Sequence, residues 1–237
     1  MRGHAAGKNI AFAPEELGIF VFYNLSAFGT PVKTTIVAAG MEFEAYTAVL
    51  KARWPGFAFP AFDEARYRRI VNERALFVTP TAAAGTGMFP KSAPRVVAGA
   101  TVLPLAAIKA DPRLLPDRPV AEDLYVALNL SLALQTRVAL ERAGARPGTA
   151  IYIEGGFRKN DAYGRLVAAL FSGARVAYTG MTEATSFGAA LLGKCAVEKR
   201  HPRDLAAAFD LAADPVTAAE VPGLTEYAAA FGDLVTA

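Results

Sequence analysis

Cysteine is nearly absent. The single thiol, Cys195, has no partner for an internal disulfide, and no cysteine cluster marks a zinc site. Beside Leu191 and Leu192 it reads as a small core residue, in keeping with a reducing cytoplasm. Histidine is almost as scarce. His4 stands alone and His201 precedes Pro202, so neither has a metal-binding neighbour, and the chain offers no metal-ligand set. Charge blocks are also missing. The net charge is +3, with both signs scattered and no basic stripe carrying interleaved aromatics, so a pI near 9.0 does not point to nucleic acid. No apolar run is long enough for a bilayer. The longest, Val96 to Ile108, contains Gly99 and Pro104 and reads as a buried strand or a strand pair. Met1 to Asn9 lacks the apolar stretch and cleavage pattern of a secretory signal.

What is present is a large apolar fraction, 53% of 237 residues, which supplies a substantial core. The expected organisation is one domain over 1–237, with an arm at 1–18 and a peripheral helical tail at 196–237. Ile19 to Leu25 and Val32 to Val37 read as strands around the turn Gly29-Thr30-Pro31. Glu42 to Trp54 has helical spacing, with Phe43, Tyr46, Val49 and Leu50 as a core stripe ended by Trp54-Pro55-Gly56. Asp63 to Val71 is a second helix, whose Arg66, Arg68, Arg69 and Glu73 read as a solvated face. Ala75 to Thr79 is a strand. A glycine-containing loop around Gly85 follows, and Lys109 to Pro119 is an internal linker. Val120 to Gly144 is the strongest helix, about 37 Å long at about 1.5 Å per residue. Leu124, Leu128, Leu134 and Val138 form its apolar face. Glu122 and Asp123 in the first turn and Arg142 in the last complement its dipole. Leu205 to Leu211 and Leu224 to Val235 read as short amphipathic helices packing on the outside.

The stretch from Ala150 to Cys195 carries the chemistry. Ile151-Tyr152-Ile153 is a strand that Gly155-Gly156 breaks, and Asn160 caps a helix bearing Leu166, Val167 and Leu170. Val176-Ala177-Tyr178 is a second strand. Thr182 caps a second helix, in which Gly188, Ala189 and Ala190 allow close packing. A glycine pair lets backbone approach a ligand that a Cβ would exclude, and the helix start behind it favours an anion. An ordinary tight strand-to-helix turn is the better account of the pair taken alone.

The whole stretch resembles the nucleotide-binding region of the FGGY carbohydrate kinases, in the actin-like ATPase superfamily. The resemblance rests on Gly155-Gly156-Phe157-Arg158-Lys159-Asn160 and on Thr182-Glu183-Ala184-Thr185-Ser186-Phe187-Gly188-Ala189-Ala190, in that order. Asn24-Leu25-Ser26-Ala27-Phe28-Gly29-Thr30-Pro31-Val32 is similar to a further family segment. Ala39-Gly40-Met41-Glu42-Phe43-Glu44 follows it, where members carry Gly-Gly-Arg-Glu-Phe-Glu. The loop at Gly85-Thr86-Gly87-Met88-Phe89-Pro90 is similar to a family loop as well; a plain flexible loop is the alternative.

The resemblance implies an α/β, ribonuclease H-like domain with a mixed sheet flanked by helices. It also implies ATP-dependent phosphorylation of a sugar or polyol, with ATP and Mg²⁺. Gly155, Gly156, Phe157, Asn160, Asp161 and Gly85 are the implied nucleotide contacts. No catalytic residue is expected in this chain. The family's catalytic aspartate ends an N-terminal domain, and the first aspartate here, Asp63, lies inside the second-domain match. The expectation is a C-terminal half, inactive alone. Its apolar surface would meet a missing domain, a partner chain or a second copy, and neither a membrane nor a nucleic acid is implied. An excised domain, a degenerate product, one half of a split enzyme and a non-catalytic binding or interaction module all stay open.

Overall fold

The computed structural model describes residue 16 and residues 20–81, 87–117, 119–181, 183–206 and 212–236. The chain is α/β. Two strands, β1 (Val21–Leu25) and β2 (Pro31–Thr35), form an antiparallel hairpin with Asn24 opposite Val32. Helix α1 (Ala39–Arg53) follows and ends at Trp54, whose N–H bonds Leu50 O. Its Tyr46, Val49 and Leu50 are buried, as the stripe predicts. Helix α2 (Glu64–Glu73) is capped by Asp63, whose carboxylate accepts the Arg66 N–H.

Strand β3 (Leu76–Val78) pairs with β4 (Arg95–Ala98), and β4 with β5 (Thr101–Pro104), all antiparallel. The apolar run from Val96 is thus a tight strand pair that continues into helix α3 (Leu105–Ala110). Gly99 takes a positive φ of 57° at the turn between the two strands.

Helix α4 (Ala121–Arg142) is the axis of the fold. The sequence assigns it one apolar face, yet it is buried nearly all round. Asp123, Asn129, Ser131, Gln135 and Thr136 are buried along with its leucines and alanines. Helices α1, α2 and α5 and strands β2 and β3 all pack on it, which leaves no solvated stripe. Each buried polar side chain therefore needs a partner inside. Arg66 and Arg69 of α2 both donate to Asp123 Oδ1, at 2.8 and 2.6 Å. These two arginines anchor α2 to α4, where the charge pattern alone reads as a solvated face.

The last layer is a mixed sheet. Strand β6 (Ala150–Ile153) runs parallel to β7 (Arg175–Thr179), and β7 pairs antiparallel with β8 (Ala213–Pro215). Helix α5 (Asp161–Leu170) crosses between β6 and β7 and packs on α4. Helices α6 (Ala184–Glu198), α7 (Pro202–Ala206) and α8 (Leu224–Thr236) complete the chain. The tail is more than peripheral. It supplies β8, and α8 sends Leu224, Tyr227, Phe231 and Val235 into the main core. Tyr227 stacks on Phe77 and donates its hydroxyl to Leu76 O at 2.8 Å.

Helix α6 departs from expectation in the other direction. Only Cys195 of its residues is buried, and a Cβ added at Gly188 would meet nothing within 4 Å. Among the described residues, nothing covers the face at Gly188. Thr182 lies outside the described residues, and Glu183 occupies the cap position without a side-chain bond. The 1–18 arm lies outside them too, apart from Glu16, which pairs with Lys33.

Candidate functional site

The candidate site stands at the carboxyl ends of the parallel pair β6 and β7, where open α/β sheets receive ligands. Because Ile153 lies opposite Tyr178, the segments that follow β6 and β7 leave the parallel pair at the same end. After β6 the backbone tightens into a 3-10 turn, Gly155–Lys159, that leads into α5. Gly155 has φ +68°, a conformation that a Cβ would strain. A Cβ added at Gly155 or Gly156 would meet nothing within 4 Å. The pair thus forms an open backbone surface, and both glycines are exposed.

Asn160 holds this surface in place. It is buried, and its Oδ1 accepts the Tyr163 N–H at 3.1 Å, capping α5. Its Nδ2 donates to Asn129 Oδ1 at 2.7 Å, and Asn129 in turn donates to Tyr125 O at 2.9 Å. The glycine turn is therefore bolted to α4 through two buried amides. Phe157 packs inward, 4.5 Å from the Tyr163 ring and 6.2 Å from Phe43 by ring centroids. Behind it, Tyr163 shares a 2.7 Å hydrogen bond with Thr136 of α4. Burial pushes the Tyr163 phenol up to about 12. Asp161 opens α5 at the surface and pairs with Arg165 at 2.6 Å.

Of the six nucleotide positions implied by the motif, five come together here: Gly155, Gly156, Phe157, Asn160 and Asp161. Gly85 lies outside the described residues. Thr81, shortly after β3, does have a defined anchor. Glu42 of α1, also buried, accepts the Thr81 N–H at 2.7 Å and the Gln135 amide at 2.7 Å. One helix, α4, thus holds the glycine turn through Asn129 and Thr81 through Gln135 and Glu42.

Residues outside the implied set share the site. Asn129 is one, and an amide set between Leu128 and Leu130 in a largely apolar stretch is the signal that could have found it. Arg158 is another, a cation inside the glycine turn. Its Nε is buried and without a hydrogen-bond partner, as is Thr179 Oγ1 at the end of β7. Tyr178 Oη is likewise unpartnered and lies against Gly164, where an added Cβ would sit 1.9 Å from it. Among the described residues no group of three or more His, Cys, Asp or Glu side chains is placed to hold a metal ion, and no helix is long and apolar enough to cross a membrane.

Comparison with known proteins follows the same geometry. The model for the carbohydrate kinase FGGY C-terminal domain matches residues 21–204. Comparison with curated proteins gives no match. Among solved structures, a carbohydrate kinase from Novosphingobium aromaticivorans is similar, with a TM-score of 0.58 at 17% identity. The match covers 92% of this chain and 40% of that one. The Plasmodium falciparum glycerol kinase with ADP gives a TM-score of 0.55 at 14% identity, over 87% of this chain and 38% of that one. The gluconate kinase from Lactobacillus acidophilus gives 0.52 at 15% identity, with the same coverages. At these identities the likeness is one of fold, and the chain spans about 40% of the length of the kinases it matches. With the family model matching more than half of its length, the chain belongs to the C-terminal domain family of the FGGY carbohydrate kinases.

Proposed function

We propose that this chain is the nucleotide-binding C-terminal half of an ATP-dependent carbohydrate kinase acting on a sugar or polyol, inactive in phosphotransfer by itself. The observation that carries the reading is the open Gly155-Gly156 backbone at the end of a parallel strand pair, within a chain of this family. The residues fit a nucleotide. A Cβ would fill the surface the glycines leave free, and the helix start behind them favours a phosphate. Asn160 and Phe157 set the shape of the turn rather than reaching outward, since each is engaged within the protein. Asp161 lies at the rim. Mg²⁺ would accompany ATP, with its ligands outside the residues named here. The cytoplasm supplies ATP and suits the free, buried thiol of Cys195.

Phosphotransfer also needs a base for the attacking hydroxyl and a clamp on the transferred phosphate. We assign neither to this chain; an N-terminal domain, on the same or another polypeptide, would supply both and the sugar contacts. The test has two arms. ADP titrated against the labelled protein shifts the amide resonances of Gly155 to Asp161, with millimolar affinity of about 4 kcal/mol. Mg-ATP with a panel of pentoses, hexoses and polyols gives no coupled ADP release. Turnover near about 1–100 s⁻¹ would refute inactivity, and silent amides would refute the site.

One observation favours a second reading, an interaction module or one half of a split kinase. Helix α6 exposes Leu192 and Val197, and the β1–β2 hairpin exposes Phe22, Leu25 and Ile36. Such surfaces are covered in stable assemblies. Self-association at high concentration in sedimentation supports this reading, and a strictly monomeric species counts against it.

A further inference from the structure

We propose that Arg158 is the anion-binding residue of the glycine turn and takes a phosphate group of the nucleotide. The proposal rests on the nucleotide reading above and adds a residue and a ligand group to it. Arg158 is half-buried, its Nε is buried, and nothing in the protein accepts a hydrogen bond from that atom. Other half-buried arginines among the described residues are engaged. Arg53 bonds Asp117 and Leu115 O, Arg66 bonds Asp123, Arg137 pairs with Glu141, and Arg165 pairs with Asp161; Arg95 shares the buried, unpartnered Nε but places its Nη2 on Leu234 O. Burying a guanidinium donor with no acceptor opposes folding, and the exposed part of the half-buried side chain can take an acceptor from outside.

The surroundings define that acceptor. Arg158 stands two positions after Gly156, in the same 3-10 turn as the glycine pair, above which a Cβ would find only open space. Lys159, exposed, adds a second cation. The nearby carboxylate of Asp161 is already held by Arg165 at 2.6 Å. A tetrahedral phosphate matches these features. It offers several acceptor oxygens to the guanidinium fork, and it is small enough to rest on bare backbone. A carboxylate from another polypeptide shares part of this chemistry, so the test separates the two.

The full-length chain is titrated with inorganic pyrophosphate, ADP and adenosine, following the amide resonances of Gly155 to Asp161. Arg158→Gln is expected to weaken pyrophosphate and ADP about tenfold or more and to leave adenosine unchanged, with Arg158→Lys in between. Arg158→Met is expected to leave the urea midpoint unchanged or raised, because the guanidinium has no partner to lose. A lowered midpoint would show an internal partner and overturn the assignment. Pyrophosphate and ADP binding that Arg158→Gln leaves intact overturns it as well, while the nucleotide site stands. If no probe moves these amides in the wild-type chain, the nucleotide reading and the assignment fall together.

Discussion

Replacing Asn160 with alanine tests how the glycine turn is held. The side chain does two jobs. Its Oδ1 caps α5 through the Tyr163 N–H at 3.1 Å, and an N-cap of this kind contributes about 1 kcal/mol. Its Nδ2 satisfies Asn129 Oδ1 at 2.7 Å, and Asn129 is fully buried on α4. Leaving that acceptor without a donor costs about 1–3 kcal/mol. Asn160→Ala should therefore lose about 2–4 kcal/mol. Asn160→Ser keeps a capping oxygen but cannot span to Asn129, so it should lose only the second part, about 1–3 kcal/mol. The two asparagines act as a unit. The double variant Asn129→Ala/Asn160→Ala should fall short of the sum of the single losses by about 1–2 kcal/mol. Urea unfolding at 25 °C, followed by far-UV circular dichroism, measures the wild-type chain and the four variants, Asn129→Ala included, if their m-values agree. A loss below about 0.5 kcal/mol for Asn160→Ala, or additive single variants, would refute the view that these amides lock the turn to α4.

Other consequences are as specific. Gly164→Ala should destabilise by about 1–3 kcal/mol despite alanine's better helix propensity, because the new Cβ falls 1.9 Å from Tyr178 Oη. Tyr178→Val in the same chain should restore most of the loss, and unfolding midpoints decide it. Tyr227→Phe should cost about 1 kcal/mol through Leu76 O, and Tyr227→Ala about 3–5 kcal/mol. A near-neutral Tyr227→Ala in thermal melts would return α8 to the periphery. Burial raises the phenols of Tyr46, Tyr67 and Tyr227 well above the usual value and that of Tyr163 to about 12. Each favours its neutral form in the fold, so this stability is complete below about pH 10 and is lost as pH climbs through the folded values. Denaturation midpoints that stay flat from pH 9 to about 12 would contradict that sign.

Local chemistry was written plainly in the sequence. Gly155-Gly156 after a β-branched triplet marks the end of β6, Asn160 marks the start of α5, and Asp63 marks the start of α2. Trp54-Pro55-Gly56 and Gly99 place a helix end and a hairpin. Each follows from one residue's own backbone preference or its reach of two or three positions, so no distant partner is needed. The family motif, too, is a local string. What surrounds each element is decided elsewhere. An apolar period reports which residues shun water, but not how many neighbours arrive. Only tertiary packing buries α4 on every side, so that Asn129, Gln135 and Asp123 must find Asn160, Glu42 and the two arginines across dozens of intervening residues. The same distance hides the route by which Ala213–Pro215 joins β7 and Tyr227 reaches Phe77. Helix α6 shows the converse. Its Gly188-Ala189-Ala190 pattern encodes the capacity for close packing, and among the described residues that capacity is unused at Gly188, where an added Cβ would meet nothing within 4 Å.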